Sequence, residues 1–236
     1  MDVTMLARTF LSAGSYELNA ESTQWQQTAT ATERWLATED DVRDADTLGE
    51  FAGRACYQSW DRPNPKTATN ESYLRHIIDV GHESVLAHAS VTFYVTGVSR
   101  ALTHELVRHR FLAVSQLSQR YVDNTDADPV LPPALDSVTQ LVARFAWQQA
   151  QKAYQDLTRL LRAEGLSHKQ VREAARAVLP NMTETRLVVS GNLRAWRDFI
   201  KQRNTDGADA EIRLLAQEIL RQLKTVAPNS FQDLEP

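Results

Sequence analysis

The sequence predicts an α+β fold, in which several helices pack against a small mixed or antiparallel sheet within a single domain. Three observations carry this prediction: apolar residues recur at helical spacing in many segments, strand-like segments are few and short, and neither an internal repeat nor a linker divides the chain. The domain is expected to span residues 1–236, with 1–45 as an N-terminal extension that has no clear period.

The N-terminal third is expected to contain one strand and two helices. The strand is placed around residues 5–10. Thr47 and Glu50 have the Thr-x-x-Glu spacing of a capping box, which predicts the start of the first helix. Asn70 is expected to cap the second helix, and Gly81 to end it in a left-handed conformation. The apolar faces of these helices are Leu48, Phe51, Ala52 and Ala55 in the first, and Leu74, Ile77 and Ile78 in the second.

The middle of the chain switches from strand to helix. Residues 90–95 alternate in polarity, with Val91, Phe93 and Val95 on one face, as in a half-buried strand. The period becomes helical after Gly97, and a long amphipathic helix follows further along the chain. The candidate buried positions are Val98, Ala101, Leu102 and Leu106 in the short helix, and Val138, Leu141, Phe145, Tyr154, Leu157 and Leu161 in the long one.

The C-terminal third is expected to hold three helices and one strand. Ser167 and Gln170 form a second capping-box pattern and open a helix that should stop at Pro180. Residues 187–189 form a short apolar run that suits a buried strand, and Asn192 is placed to cap the next helix. The buried faces of the last two helices are Trp196, Phe199 and Ile200, then Ile212, Leu215, Ile219, Leu220 and Leu223.

Composition and charge exclude several classes of protein. A formal net charge of −4 argues against binding nucleic acid over the whole surface. The single cysteine, Cys56, allows neither an internal disulfide nor a cysteine-rich metal site, and the histidines lack metal-ligand spacing, so no metal is expected. Because the sequence has neither a signal peptide nor an apolar stretch long enough for a membrane span, we expect a cytoplasmic protein.

A basic island lies between residues 99 and 121, which include four arginines but one carboxylate, that of Glu105. Arg108, His109 and Arg110 are consecutive, so on a helix they would point about 100° apart and could not all face one partner. Near a helix end they can splay around one extended anion, and arginine offers a rigid fork that fits phosphate oxygens. We therefore expect a site for a discrete anion rather than a solvated basic patch.

Polar side chains occupy alternate positions after that triplet, at Gln116, Ser118 and Arg120. In an extended or loop conformation Ser118 and Arg120 would point the same way, toward one phosphate, while Gln116 would offer an amide to a heterocycle. Ser118 is interpreted as a positioning hydroxyl, because a nucleophilic serine needs an adjacent base. Cys56 follows an apolar helical stretch and is interpreted as an inert packing residue.

An ordered series of short motifs runs from about Leu48 to Phe231. Arg108-His109-Arg110, seven residues and then Ser118 form an RHR-x7-S signature. Further motifs with matching spacing lie at 51–57, 73–78, 81–84, 115–121, 174–180 and 191–196. This series resembles the flavin-dependent thymidylate synthases, which convert dUMP to dTMP.

The resemblance implies a homotetramer with active sites between subunits. Each site would bind FAD, dUMP, 5,10-methylenetetrahydrofolate as carbon donor and NADPH as reductant, and neither a nucleic acid nor a membrane is expected as a partner. Arg203 matches the arginine that stabilises ionised N3 of the uracil and so activates the ring. A fixed guanidinium suits this role because hydride addition at C6 places negative charge on the ring.

Matched position by position, the resemblance divides the site residues between cofactor and substrate. Arg176 would reach the substrate of a neighbouring subunit, and His82 would lie near the stacked ligands. The cofactor-binding positions are Ser84, Arg108, His109, Arg110, Gln116, Asn192, Leu193, Arg194 and Asp198. The substrate-binding positions are Glu105, Leu106, Val107, Arg108, Gln116, Leu117, Ser118, Gln119, Arg120, Arg176 and Arg203.

The sequence departs from the family pattern at Ala87, 111–114, Asp198 and 204–207. A second hypothesis is therefore a nucleotide-binding or regulatory protein that kept the dUMP pocket and lost catalysis. A third, an arginine-rich nucleic-acid-binding protein, is disfavoured by the acidic net charge and the absence of a basic tail. Bound FAD, visible as a yellow colour, would support the enzyme, and an NADPH-consuming assay with dUMP and methylenetetrahydrofolate would then separate it from the protein without catalysis.

Overall fold

The computed structural model describes residues 1–11, 44–60 and 64–236, which include seven α-helices and four β-strands. The strands are β1 (Asp2–Arg8), β2 (Ser90–Ser99), β3 (Ala113–Gln116) and β4 (Glu184–Asn192). The helices are α1 (Asp44–Tyr57), α2 (Asn70–Asp79), α3 (Arg100–Leu106), α4 (Ser137–Ala163), α5 (His168–Ala175), α6 (Leu193–Arg203) and α7 (Ala210–Val226). The strands form one antiparallel sheet in the order β1-β2-β4-β3. The predicted α+β class is confirmed, whereas most of the N-terminal extension, 12–43, lies outside the described residues.

The contacts between residues divide the chain into two compact units. Unit 1 comprises Met1–Thr4, Phe93–Val189 and Gln202–Ala216, and unit 2 comprises the described parts of Met5–Thr92, Ser190–Lys201 and Gln217–Pro236. Each unit has its own buried apolar side chains. Those of unit 1 include Val95, Leu106, Tyr154, Leu187 and Leu215, and those of unit 2 include Leu74, Val91, Trp196, Phe199 and Phe231. A single domain over residues 1–236 stays a prediction.

The buried face of α1 is polar, which the apolar pattern does not predict. Asp46, Glu50 and Arg54 are buried, whereas the four predicted apolar positions of this helix are only half-buried. Arg54 donates its Nε–H to Glu50 Oε1 at 2.5 Å, so the two charges satisfy each other inside the protein. Thr47 lies within α1, so the predicted capping box at this position is wrong.

The N-cap of α2 is Thr69, one residue before the predicted Asn70. Thr69 accepts a hydrogen bond from the Ser72 N–H, and the Ser72 side chain accepts one from the Thr69 N–H. Asn70 is buried instead, where its Nδ2 donates to the Asp46 carbonyl at 3.1 Å and to Glu50 Oε2 at 2.9 Å. The Asn70 amide is needed to satisfy the polar face of α1, and this need is invisible in a local pattern.

Three other predicted helix ends are confirmed. Ser167 and Gln170 form a capping box at the start of α5. Asn192 Oδ1 accepts the N–H of Ala195 at 2.8 Å and so caps α6. Gly81 follows α2 with φ of +73°, in the left-handed region that glycine adopts without a steric cost.

β2 runs further than predicted and joins α3 directly. The alternating face of residues 90–95 is buried as expected, but the strand continues through Gly97 and Val98 to Ser99. Ser99 Oγ accepts the Leu102 N–H at 3.0 Å and caps α3. The carboxylate of Glu211 in turn accepts the Ser99 N–H at 2.7 Å and the Ser99 Oγ–H at 2.6 Å. These bonds fix the start of the helix that precedes the basic triplet.

Half of the predicted buried stripe of α4 is exposed. Tyr154 is fully buried, as predicted, whereas Val138, Leu141 and Phe145 are 67%, 67% and 63% exposed. Val142 is 70% exposed and lies on the same side of the helix. These four side chains form the exposed apolar face of α4.

Candidate functional site

The basic triplet lies in a turn immediately after α3. The N–H groups of Arg108 and His109 donate to the carbonyls of Glu105 and Leu106, at 3.3 and 3.1 Å. His109 is only 8% exposed, whereas Arg108 and Arg110 are exposed. The three side chains therefore splay from a helix end, as predicted. Neither guanidinium of this triplet has a hydrogen bond or ion pair with another residue that the structure describes.

Arg203, at the end of α6, is bonded to two other predicted site residues. Its Nη1 donates to Glu105 Oε2 at 2.6 Å, its Nε donates to His109 Nε2 at 3.0 Å, and its Nη2 donates to the Glu105 carbonyl at 3.3 Å. A guanidinium has five N–H groups. Two of those of Arg203, one on each Nη, therefore have no acceptor in the described ranges.

Gln116, the last residue of β3, is held through its amide nitrogen. Its Nε2 donates to Thr103 Oγ1 at 3.1 Å and to Thr185 Oγ1 at 3.2 Å. Both amide hydrogens are thus engaged, and the oxygen Oε1 is the atom left for a ligand. The next residue, Leu117, donates its N–H to the Arg186 carbonyl at 2.9 Å, which keeps this segment on the edge of the sheet.

Ser118 and Arg120 lie in a turn and not in an extended segment. The Ser118 carbonyl accepts the N–H groups of Tyr121 and Val122 at 3.1 and 2.9 Å, and the Arg120 N–H reaches Ser118 Oγ at 3.4 Å. The alternation of an extended strand does not apply in this turn, and the expectation that Ser118 and Arg120 face one phosphate stays a prediction. The guanidinium of Arg120 lies 5.7 Å from the ring centroid of Tyr121.

Gln119 lies in the same turn and has an unsatisfied buried amide. It is 7% exposed, and its Nε2 has no hydrogen-bond partner in the described part of the chain. A buried donor without an acceptor costs about 1–3 kcal/mol, so such atoms are rare unless a ligand or water completes them. Arg172 Nε is in the same situation, although its Nη1 donates to the Tyr121 carbonyl at 2.7 Å.

Arg176 lies near a second arginine, Arg100, which the sequence does not single out as a site residue. The N–H groups of Arg100 and Ala101 donate to the carbonyls of Thr183 and Asn181 at 3.1 and 3.0 Å, which places the start of α3 against the segment that follows Arg176. Burial, and then the nearby charge of Arg176, lower the pKa of Arg100. Neither guanidinium has a hydrogen bond or ion pair with any described residue, so the two charges are suited to an anion.

The predicted cofactor residues of unit 2 lie on two segments. Ser84 is exposed in a 3-10 turn that spans Glu83–Ala87. At the start of α6, Asn192 uses its side chain as the cap and Leu193 is fully buried, whereas Arg194 is exposed. The Arg194 guanidinium forms no hydrogen bond or ion pair within the ranges described here.

A fully buried arginine, Arg197, joins these two segments of unit 2. It donates to Glu83 Oε1 at 3.4 Å and to both carboxylate oxygens of Asp233 at 2.7 and 2.8 Å. Lys201 donates to the same Glu83 oxygen at 2.9 Å. Burial acts to raise the pKa of Glu83, but the Lys201 hydrogen bond and the Arg197 charge outweigh it and hold the pKa below its usual range. The neighbouring Asp198 is exposed.

Several residues that orient the predicted side chains have no sequence signal of their own. Thr103 and Thr185 hold Gln116, and Arg197 holds the turn that carries Ser84. A lone threonine or a helical arginine is indistinguishable from an ordinary surface residue in a sequence. Arg100 differs, because it belongs to the basic island, but nothing in its spacing links it to Arg176.

Residues 1–11, 44–60 and 64–236 include no group of three or more His, Cys, Asp or Glu side chains that could hold a metal ion. Over the same ranges, none of the helices combines the length and the apolar character needed to cross a membrane. Cys56 is exposed near the end of α1, so its interpretation as a buried packing residue is wrong.

Comparison with known proteins shows which family this chain resembles. Residues 38–229 match the family model described as thymidylate synthase complementing protein. A protein of Mycolicibacterium gilvum named flavin-dependent thymidylate synthase is 58% identical over 197 residues, which cover 80% of this chain and 79% of that protein. Proteins of the same name from Mycobacteroides abscessus and Mycobacterium tuberculosis are 57% and 58% identical over 197 residues, with the same coverage.

Proposed function

This chain belongs to the flavin-dependent thymidylate synthase family, and we propose that it converts dUMP to dTMP by reductive methylation. In this proposal 5,10-methylenetetrahydrofolate donates the carbon, and FAD that has been reduced by NADPH supplies the hydride. The observation that supports it most is the arrangement of Arg203 with Glu105 and His109, next to arginines that have no acceptor among the described residues.

We assign the activation of the uracil ring to Arg203. Hydride addition at C6 places negative charge on the ring, and a fixed guanidinium stabilises that charge without a proton transfer. The three hydrogen bonds of Arg203 to Glu105 and His109 hold it in place before substrate arrives. Its two remaining N–H groups, one on each Nη, are donors that suit the oxygen and ionised nitrogen acceptors of a uracil.

The nucleotide is assigned to the segment around the turn after β3. Gln116 Oε1 offers an acceptor and Gln119 Nε2 an unsatisfied donor, while the Ser118 hydroxyl and the Arg120 guanidinium suit a phosphate. Arg176 would contribute its charge to the site of a neighbouring subunit. The remaining residues on the substrate side are Glu105, Leu106, Val107, Arg108 and Leu117.

The residues assigned to the cofactor fit FAD by their chemistry. In unit 1 the exposed guanidiniums of Arg108 and Arg110 suit a diphosphate, and in unit 2 Arg194 and the Ser84 hydroxyl supply donors of the same kind. Asp198 is the exception, since a carboxylate repels phosphate. It lies four residues after Arg194 on α6, a spacing at which an arginine side chain can offset its charge.

Self-association is proposed through the exposed apolar face of α4. Four large apolar side chains in one contiguous row are unusual on a monomer and mark an interaction surface. A homotetramer with shared active sites would cover this face and would bring Arg176 to a neighbouring substrate. We assign the whole chain, 1–236, to one catalytic domain that acts in the cytoplasm, where a reaction on free dUMP belongs.

A nucleotide-binding protein without catalysis is the alternative that the departures at 204–207 support. The test begins with the visible spectrum of the purified protein, which should be yellow and should release FAD on denaturation. The second step is dTMP formation from dUMP and methylenetetrahydrofolate with NADPH. A colourless protein that FAD does not saturate contradicts the proposal, whereas a yellow protein that binds dUMP and makes no dTMP supports the alternative.

A further inference from the structure

The hydrogen bond between Arg203 and His109 fixes the position of a proton. Arg203 Nε carries one hydrogen and has no lone pair to accept another, so in the 3.0 Å contact the arginine donates and His109 Nε2 accepts. An imidazole nitrogen that accepts has no hydrogen of its own. The contact therefore requires the neutral ring, with its proton on Nδ1.

Hydrogen bonds fix the main chain of His109 at both its N–H and its carbonyl group. The His109 N–H donates to the Leu106 carbonyl at 3.1 Å, and the Leu112 N–H donates to the His109 carbonyl at 3.1 Å. The side chain is 8% exposed, so its rotamer is restricted by packing as well. His109 is thus a fixed acceptor at a defined position beside α6.

We propose that His109 is a positioning residue for Arg203, in addition to the cofactor contact that the family resemblance implies. This inference rests on the proposed function. As a neutral acceptor, His109 fixes the Nε edge of the guanidinium, while Glu105 fixes the two Nη groups. The plane of the fork is then defined at all three nitrogens, and the two unused N–H groups are directed before the pyrimidine binds.

Glu105 alone would leave this plane less well defined. Its two contacts with Arg203, at 2.6 and 3.3 Å, come from one residue and both engage the Nη end of the group. A histidine with a proton on Nε2 would place an N–H against an N–H and would break the third contact. Residue 109 must therefore place a hydrogen-bond acceptor opposite Arg203 Nε, and a ring without an acceptor is not sufficient.

The tautomer of His109 tests the inference without any assay of turnover. In protein labelled with ¹⁵N-histidine, the resonances of the six histidines distinguish protonated from unprotonated ring nitrogens, and the signal that is absent from H109Q identifies His109. We expect an unprotonated Nε2 and a protonated Nδ1 at pH 8. A proton on Nε2 in the wild-type protein would overturn the inference, even if the protein makes dTMP.

Two substitutions test the acceptor directly. H109F keeps a ring without an acceptor, and H109Q keeps an acceptor oxygen at a similar distance from the backbone without a ring. With saturating FAD, we expect kcat to fall about 10- to 100-fold in H109F with a smaller change in KM for dUMP, as is typical of residues that orient a functional group. H109Q should recover part of that loss. Wild-type kcat in H109F, or no recovery in H109Q, contradicts the inference, whereas absence of dTMP formation by the wild-type protein contradicts the proposed function instead.

Discussion

Arg203 Nη1 and Glu105 Oε2 lie 2.6 Å apart and form an ion pair that is partly shielded from solvent. The carboxylate orients the guanidinium and also offsets part of its charge. A substrate that develops negative charge would therefore meet a cation that is already directed and needs no reorganisation. This pair connects the end of α6 with α3, and so with the triplet that follows α3.

Replacement of Arg203 by alanine should abolish dTMP formation and leave flavin binding largely intact. R203K keeps the charge but loses the planar fork, since an ammonium cannot make the three contacts to Glu105 and His109 together. We expect kcat to fall about 100- to 1000-fold in R203K. Steady-state kinetics and a flavin titration of the same preparations measure both effects, and unchanged turnover would refute the assigned role.

Arg100 should contribute to the affinity for dUMP. Its guanidinium lies near that of Arg176, and both lack an acceptor within the described part of the chain. R100A should raise KM for dUMP about 10-fold, which corresponds to about 1.4 kcal/mol, with less effect on kcat. R144A removes an exposed arginine of α4 and serves as the control. Equal KM values in R100A and R144A would exclude Arg100 from the substrate site.

A charge in the exposed apolar face of α4 should weaken self-association. F145D places a carboxylate on this face, and its burial in an interface without a partner would cost several kcal/mol. We expect light scattering to detect smaller species in F145D than in the wild-type protein. R144D introduces the same side chain at an exposed position one residue away, on another face of the helix. A wild-type assembly in F145D would exclude this face as the interface.

Asp46 should make the protein less stable as pH rises from about 4 to about 6. Burial raises the pKa of Asp46 from 3.8 to about 6, although hydrogen bonds from Ser230 and Asn229 act in the opposite direction. The folded state therefore binds a proton more tightly than the unfolded state, and the free energy of unfolding falls between these pH values, by about 3 kcal/mol at most. Above about pH 7, where Asp46 is ionised in both states, this contribution is constant.

The D46N variant isolates this contribution, because its side chain does not titrate. Asparagine cannot accept at both side-chain atoms, so D46N should be less stable in general. The informative quantity is the slope: urea unfolding from pH 4 to 7 should give a difference between wild type and D46N that changes with pH. A constant difference would mean that Asp46 has an ordinary pKa.

Gly53 should not tolerate alanine, because α1 approaches Tyr73 closely. A Cβ at this position would overlap Tyr73 Oη and would lie 3.0 Å from Tyr73 Cζ. We expect G53A to lower the free energy of unfolding by about 1–3 kcal/mol. Since the hydroxyl makes the closest approach, Y73F should recover part of that loss in the double variant. Additive effects of the two substitutions would show that the hydroxyl is not the obstacle.

The elements with complete apolar stripes could be predicted from the sequence. All five positions predicted for the inner face of α7 are buried, as is the alternating face of β2. The predicted buried face of α1 is wrong because the buried side chains are those of Asp46, Glu50 and Arg54. Asp46 and Glu50 have partners that are distant in sequence, and these contacts leave no local period. α4 is predicted in part, because an apolar stripe does not reveal which of its positions other parts of the chain cover.

In the candidate site, too, local features could be predicted from the sequence and contacts between distant residues could not. The triplet at a helix end follows from local sequence, since three consecutive polar residues cannot share one helix face. The contact between Arg203 and His109 does not, because two residues almost a hundred positions apart carry no information about their distance. The sequence does not predict Arg100 as a site residue, because its proximity to Arg176 exists only in the folded chain.

The residues around the last 3-10 turn, Asn229–Phe231, contact a buried charged side chain on each of two helices. On one side, backbone N–H groups of Asn229 and Ser230 face the Asp46 carboxylate of α1. On the other side, the Ser230 carbonyl and the Asp233 carboxylate face the buried guanidinium of Arg197. Displacement of this short segment would leave the Asp46 carboxylate buried without its donors, and Arg197 would keep Glu83 as its only carboxylate partner among the described residues. These few residues therefore link two buried charges of unit 2, on α1 and on α6, through polar contacts.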